Sequence, residues 1–295
     1  MRSWAFAKGH GTENDFVILV DRDGLNPPSD DEVRWLCDRR AGIGADGILR
    51  AVAGRHVDGW DGDPGIWFMD YRNGDGSIAE MCGNGVRVFV RYLLNEGLAV
   101  GPRVPVGTRA GLRTTEELPD GRIRVGMGPA LVRGDDVAVT TADGAGFLAV
   151  PVDVGNPHAV SFCADPASVD LGAAPRWSPA EAFPHGVNAE FVTERGPRHL
   201  SMRVFERGAG ETRSCGTGTV AVAAAWHARH GSSTVLGAAI TYRVDVPGGT
   251  VEVELGEQTY LTGPAVIVAR GEAVRPDPAP GDANLSPSVG GTCDS

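Results

Sequence analysis

Two cysteines lie in closely similar glycine-rich contexts, one in each half of the chain. Cys82 is followed by Gly-Asn-Gly and Cys215 by Gly-Thr-Gly, and an apolar segment follows each motif. A polar residue, Asn73 or Glu206, precedes each cysteine by nine positions. Because internal similarity of this kind indicates duplicated units, we predict two similar halves whose cysteines meet where the halves face each other.

A cysteine at the start of a helix is suited to proton transfer. The first backbone N–H groups of a helix have no partner within it and carry partial positive charge, so they stabilise a thiolate and can also bind a carboxylate. The pKa of a free cysteine is about 8.5, and we expect a helix N-terminus to lower it. The two motifs therefore predict thiols that serve as acid/base groups.

The elements that must position these cysteines are two apolar helices. The first has apolar residues at helical spacing and ends near Gly97, and the second, over residues 216–231, is rich in alanine and ends at Gly231. A helix that is apolar on most sides belongs inside a domain, so we predict that sheet surrounds each one. The spaced apolar residues of the first helix are Val86, Phe89, Val90 and Leu93.

Most of the remaining pattern predicts strands. Two strands around a glycine-containing turn are predicted near the N-terminus, and Ser29 is a good N-cap for a helix that runs through Arg40. Ser178 followed by Pro179 suggests a short helix. A hairpin near residue 119 marks the predicted domain boundary, and the proline-containing residues 275–295 are predicted to be disordered.

Composition excludes several classes of protein. The chain has 295 residues, 42% hydrophobic residues and a net charge of −11, which argues against nucleic-acid or anionic-membrane binding. No segment is apolar enough to span a membrane, so a cytoplasmic protein is predicted. The five cysteines have neither disulfide-framework nor zinc-site spacing, and no metal site is predicted. Lys8, the only lysine, is the only residue that could bind pyridoxal phosphate.

The chain contains the motifs GHGTENDFVILVD, GIGADGIL, YRNGDGSIAEMCGNGVR, GNPHAV, GVNAEFV, ERGAGETRSCGTGT and LTGPAVIV. In this order they resemble the motifs of the diaminopimelate epimerase family. The resemblance extends from residue 8 to residue 219 and continues toward residue 270. It implies an α+β fold with two pseudo-symmetric domains, each a β-barrel-like sheet around a central helix, and an active site in the interdomain cleft. The expected domains are 1–119, completed by a strand at 263–274, and 120–262.

The resemblance also implies an activity. Members of this family are cofactor-independent epimerases that interconvert LL- and meso-2,6-diaminopimelate, a step toward lysine and peptidoglycan precursors, and they are often homodimers. Inversion at an α-carbon requires proton removal from one face and proton delivery to the other, which Cys82 and Cys215 would perform in alternating roles. Backbone N–H groups would stabilise the carbanion through its carboxylate, namely those of Gly83, Asn84, Gly216 and Thr217.

Further site residues are implied by the resemblance alone. His158 and Glu206 are expected to modulate the pKa values of the two thiols. Arg207 is expected to bind the distal carboxylate of the substrate, and Glu206 its ammonium group. Gly47 departs from the family, because some members have a substrate-contacting glutamine there. The other expected substrate-binding residues are Asn14, Asn73, Asn156 and Asn188.

Other interpretations stay open from the sequence. The two cysteines could be core thiols or a structural disulfide, and the asparagines could be turn or capping residues. Glu206 and Arg207 could form a surface ion pair. The protein could also be a two-thiol racemase acting on proline, hydroxyproline or histidine, or a ligand-binding protein without catalytic activity.

Overall fold

The structure is a computed structural model that describes residues 2–231 and 239–275. The predicted disordered tail lies outside the described residues, apart from Arg275. Over the described ranges the chain forms three helices, α1 (Asp30–Cys37), α2 (Gly83–Asn95) and α3 (Gly216–His230), together with short 3₁₀ turns. The strands are β1 (Arg2–Gly11), β2 (Asn14–Val20), β3 (Gly47–Ala53), β4 (Trp67–Asn73), β5 (Val106–Thr108), β6 (Gly111–Arg113), β7 (Thr115–Glu117), β8 (Ile123–Gly126), β9 (Leu131–Val132), β10 (Val137–Thr140), β11 (Gly146–Asp153), β12 (Pro157–Phe162), β13 (Arg176–Ser178), β14 (Asn188–Gly196), β15 (His199–Glu206), β16 (Gly210–Thr212), β17 (Ile240–Val246), β18 (Gly249–Leu255), β19 (Tyr260–Gly263) and β20 (Val266–Arg275).

These strands form two sheets. The first sheet has the order β20-β1-β2-β3-β4-β5-β6, and the second has the order β13-β10-β11-β12-β14-β15-β17-β18-β19-β8-β7, with β9 paired to β11 and β16 paired to β15. Strand β20 pairs antiparallel with β1 along nearly its whole length, so the chain returns to the first sheet at its end. The predicted domain limits at residues 119 and 262 stay a prediction.

Each sheet packs around one helix. Val86, Phe89 and Leu93 of α2 are fully buried, and this helix contacts β1, β2 and β20 of the first sheet and also β8 of the second. The alanine-rich α3 packs against β11, β12, β15 and β18 of the second sheet. Burial on several sides explains why each helix is apolar around most of its surface. The α+β prediction is confirmed, because the described residues form two mostly antiparallel sheets and three helices.

The ends of the helices follow local signals with one difference. Ser29 caps α1 as predicted and forms a capping box with Glu32, but α1 ends at Cys37 and not at Arg40. The reason is Asp38, which has extended backbone geometry and accepts hydrogen bonds from the N–H groups of Arg40 and Ala41. The segment after Pro179 forms only a single 3₁₀ turn, Ala180–Ala182.

The turn between β1 and β2 contacts the second sheet. Thr12 and Glu13 have positive φ angles of 51° and 61°, a conformation that is strained for a β-branched residue and requires support from its surroundings. That support includes the turn between β17 and β18, where a Cβ added at Gly248 would lie 1.9 Å from the Thr12 carbonyl oxygen. The Thr12 and Ser214 hydroxyls also lie 2.7 Å apart. The two halves are therefore in direct contact beside the cysteine motifs.

Candidate active site

Cys82 and Cys215 occupy the same position on their helices. Each is the N-cap residue, with extended backbone angles, and its sulfur accepts a hydrogen bond from the N–H group three residues later. The distances are 3.4 Å from Gly85 N to Cys82 Sγ and 3.3 Å from Gly218 N to Cys215 Sγ. The similarity of the two sequence motifs is thus a similarity of local structure.

The N-termini of α2 and α3 are in contact. A Cβ added at Gly216 would lie 3.1 Å from Asn84 N and 3.2 Å from Gly83 Cα. The N–H groups of the first two residues of each helix have no backbone acceptor among the residues that the structure describes, and that of Asn84 faces the Cys82 sulfur. The backbone donors of Gly83, Gly216 and Thr217 are therefore available at the helix N-termini, where anions bind favourably.

Burial dominates the pKa values of both thiols. It raises the pKa of Cys82 to about 11, although the N–H groups of Gly85 and Asn84 lower it. Burial raises the pKa of Cys215 well above its ordinary value, and the Glu206 and Glu190 carboxylates add to that rise. The expected net lowering by the helix N-terminus is therefore wrong, because the loss of solvation outweighs the helix donors.

A polar network connects Cys82 to the other half of the chain. Asn14 Oδ1 accepts from Cys82 Sγ at 3.6 Å and from Asn84 Nδ2 at 3.2 Å. Asn84 Nδ2 also donates to the Ser214 carbonyl oxygen at 3.0 Å. Asn14 and Asn84 thus lie at the first thiol, and Asn84 connects it to the residue that precedes the second thiol.

A second network lies beside Cys215. Its sulfur lies 3.5 Å from Thr217 Oγ1, which accepts from Asn156 Nδ2 at 3.4 Å. Asn156 Oδ1 lies 3.0 Å from His158 Nε2, and His158 Nδ1 lies 2.6 Å from Glu190 Oε1. Both members of that last pair are fully buried, and burial raises the pKa of Glu190. His158 is therefore connected to Cys215 through two intermediate side chains.

The remaining predicted residues lie around these networks. Glu206 accepts from the Thr212 hydroxyl, and a hydrogen bond from Cys215 partly offsets the rise in the Glu206 pKa that burial produces. Arg207 N donates to Asn188 Oδ1 at 2.9 Å, and Arg207 Nη1 donates to the His185 carbonyl oxygen at 3.0 Å. The Glu206 and Arg207 side chains thus make separate contacts.

Positions 73 and 47 lie opposite each other on neighbouring strands. Asn73 pairs in register with Gly47 and donates to Ser77 Oγ at 3.0 Å. A Cβ added at Gly47 would lie 2.7 Å from Tyr71 Cε2 and 2.5 Å from the Arg72 carbonyl oxygen. The tyrosine ring thus fills the space that a side chain at position 47 would need.

Several residues at the site were not predicted from the sequence. Thr12, Ser214 and Glu190 carry no local signal, because their roles depend on contacts between distant segments. Arg87 does carry one, since it is a charged residue within an apolar stretch of α2. Among the described residues no group of three or more potential metal ligands was found, and no helix is both long and apolar enough to cross a membrane.

Comparison with solved structures defines the class of fold. A hydroxyproline epimerase from Agrobacterium vitis superimposes with a TM-score of 0.64 at 17% identity, covering 94% of this chain and 94% of that chain. A PhzF-family protein from Bacillus anthracis superimposes with a TM-score of 0.64 at 15% identity, covering 93% of this chain and 100% of that chain. The two sheets with their cysteine-capped helices therefore have the two-domain fold that epimerases and PhzF-like proteins share.

Sequence comparison defines the family. The family model described as diaminopimelate epimerase matches residues 6–132 and 150–275. The diaminopimelate epimerase of Streptomyces coelicolor is 51% identical over 275 residues, covering 91% of this chain and 94% of that protein. The diaminopimelate epimerase of Corynebacterium glutamicum ATCC 13032 is 49% identical, covering 90% of this chain and 97% of that protein. The chain belongs to the diaminopimelate epimerase family, and it is an isomerase of the epimerase type.

Proposed function

We propose that this protein interconverts LL- and meso-2,6-diaminopimelate without a cofactor, with Cys82 and Cys215 as the two acid/base groups. The observation that carries the proposal is the contact between two helix N-termini that are each capped by a cysteine. An α-carbon bound at this junction would have one thiol on each side. Membership of the family selects diaminopimelate over other amino acids.

The reaction is a proton transfer on each face of one carbon. The thiolate on one side removes the α-proton, so a C–H bond breaks and an S–H bond forms. The thiol on the other side delivers its proton to the carbanion, so that S–H bond breaks and a new C–H bond forms with inverted configuration. Burial makes each thiolate a stronger base but lowers its population at neutral pH, so groups that stabilise the thiolate are needed for the reaction.

The carbanion must be stabilised through the α-carboxylate. When the proton leaves, its electron pair is delocalised into this carboxylate, whose negative charge increases. The free N–H groups at the starts of α2 and α3 are suited to receive that charge, because they are fixed dipoles that need no reorganisation. Closure of the two halves over the substrate would exclude water and strengthen these interactions.

We assign recognition of the distal end of the substrate to Glu206, Arg207 and a set of asparagines. Arg207 would bind the distal carboxylate in a bidentate manner, and Glu206 would accept from the distal ammonium group. Glu206 and His158 would also modulate the thiols, since Glu206 raises the pKa of both Cys82 and Cys215. Asparagine side chains would complete the binding site, namely those of Asn14, Asn73, Asn156 and Asn188.

A solvent-exchange assay tests the function. We expect the purified protein, incubated with either LL- or meso-diaminopimelate in ²H₂O, to yield the same mixture of epimers, with deuterium at the inverted α-carbon as measured by NMR. Parallel incubations with proline, hydroxyproline and histidine serve as controls. Inversion of one of these controls without inversion of diaminopimelate would identify the other type of racemase. Binding of diaminopimelate without deuterium uptake would indicate a binding protein.

We further propose that the protein is cytoplasmic and acts in the synthesis of lysine and peptidoglycan precursors.

We also propose that the protein is a homodimer. Strand β20 is an edge of the first sheet, and Val266, Val268 and Val274 are exposed on it. Exposed apolar edge strands are normally covered, which supports a second copy at this edge. Sedimentation analysis should give the mass of two chains for the wild type and a mass closer to that of one chain for Val268→Asp. A wild-type mass of one chain at assay concentration would contradict the dimer.

A further inference from the structure

Arg87 is buried behind the two helix N-termini. It lies in the second turn of α2, has no exposed surface, and is the largest of the fully buried side chains. Its Nη2 atom donates to Thr12 Oγ1 at 3.1 Å and to Asn84 Oδ1 at 2.9 Å. Gly11 and Gly263 make room for it, because a Cβ added at either would lie 3.0 Å from a terminal guanidinium nitrogen.

The guanidinium group has no carboxylate partner among the residues that the structure describes. Its Nε and Nη1 atoms lack any hydrogen-bond partner there. A buried cation without a counter-charge is costly, and replacing such groups with apolar ones often stabilises a protein. The equivalent position on α3, five residues after its cysteine, is Val220, which is equally buried. Burial at this position therefore does not by itself require a charge.

The charges around the two thiols are distributed unequally. Cys82 faces Arg87 and the N–H groups of Gly85 and Asn84, all of which lower its pKa, and Glu206, which raises it. Cys215 faces two carboxylates that raise its pKa, those of Glu206 and Glu190, and only the uncharged Thr217 hydroxyl and Gly218 N–H oppose them. The buried cation is thus on the Cys82 side alone.

Arg87 also holds the groups that form the junction. It bonds to Asn84, which in turn bonds to Asn14 and to Ser214. Thr12, the other partner of Arg87, bonds to the Ser214 hydroxyl. One side chain is therefore hydrogen-bonded to both of the segments that connect the two halves at the thiols.

We propose that Arg87 is a positioning residue for the epimerase reaction, whose guanidinium group holds Asn84 at the junction and whose charge stabilises the thiolate at Cys82. The proposal rests on the function proposed above. Removal of the charge should reduce the thiolate fraction at Cys82 while leaving the fold intact, because the charge has no carboxylate partner in the described residues to leave behind.

Three variants separate charge from packing. Arg87→Met keeps the apolar length, Arg87→Gln keeps a hydrogen-bond donor without the charge, and Arg87→Lys keeps the charge. Arg91→Met is the matched control, because Arg91 lies one turn later on α2 and pairs with Glu117. In the two neutral variants we expect kcat/KM to be about tenfold lower than in the wild type. The acid limb of the pH profile of kcat/KM should lie about one pH unit higher in these variants. Arg87→Lys should recover most of the loss in kcat/KM.

A titration that does not depend on activity completes the test. Thiolate absorbance at 240 nm is followed against pH in a Cys215→Ala background, with the Cys82→Ala/Cys215→Ala protein as the blank. The Cys82 titration should move to higher pH in Arg87→Gln and Arg87→Met but not in Arg91→Met. An unchanged titration in Arg87→Gln would overturn the proposal even if the enzyme is an epimerase. So would a loss of activity in all three variants that follows a loss of thermal stability.

Discussion

Replacement of Cys82 or Cys215 by alanine is expected to reduce epimerisation in both directions by at least about 10³-fold, because each variant lacks either the base or the acid. Each variant should still exchange one epimer. The remaining thiolate can remove the proton that faces it and return a deuteron to the same face, so deuterium enters without inversion. The two variants should therefore exchange opposite epimers, as measured by NMR in ²H₂O with chiral separation of the products.

Other cysteines provide the controls for this experiment. Cys37 is buried in the α1 packing and Cys163 lies at the second sheet, and the four described cysteines are free. Alanine at either control position should leave epimerisation within about twofold, since neither sulfur is hydrogen-bonded to Cys82, Cys215 or their partners and packing changes act mainly on stability. Retained inversion in Cys82→Ala or Cys215→Ala would contradict the two-base mechanism. Exchange of both epimers by a single variant would do the same.

Gly216→Ala is expected to cause the second largest loss, about 10²-fold in kcat/KM, because displacements of about 1 Å can misalign reacting groups. The added Cβ would lie 3.1 Å from Asn84 N, closer than a normal contact. Asn84 N and Gly83 Cα, which lies at 3.2 Å, are backbone atoms at the start of α2, so the two helices must move apart. Steady-state kinetics in both directions measure the loss.

The same variant also tests the geometry of the reaction. Inversion needs both thiols at one carbon, whereas exchange on one face needs only one, so inversion should fall more than deuterium uptake. Gly146→Ala is the matched control, because a Cβ there would have no heavy atom within 4 Å. A kcat/KM for Gly216→Ala that stays within twofold of the wild-type value would show that the two helix starts need not be in contact.

The local features of this protein could be predicted from its sequence. The apolar spacing of α2, the alanine content of α3 and the glycine-rich motifs depend on neighbouring residues, so they indicated the helices and their cysteine caps. The α+β fold followed from the family motifs, which extend over most of the chain. The cleft and the domain limits stay predictions.

The junction itself could not be predicted in this way. The bonds from Asn84 to Ser214 and from Thr12 to Ser214 join residues that are far apart in the chain, and no periodicity records such pairs. The direction of the thiol pKa shifts could not be predicted either. A helix N-terminus can be recognised from sequence, whereas the extent of burial, which raises both pKa values, depends on the assembled halves. Glu190 lies in a strand whose first residues are all buried, so no alternation marked it as a buried acid.

The pairing of β20 with β1 determines when the enzyme can assemble. Strand β1 leads directly into the turn that carries Thr12, and one of its edges is covered only by β20. A ribosome must therefore synthesise the whole second sheet before the first can be completed. Domains of many proteins fold in order as they emerge, but here the first sheet can be completed only after a late strand has been synthesised, whereas the second sheet needs no strand that follows β19.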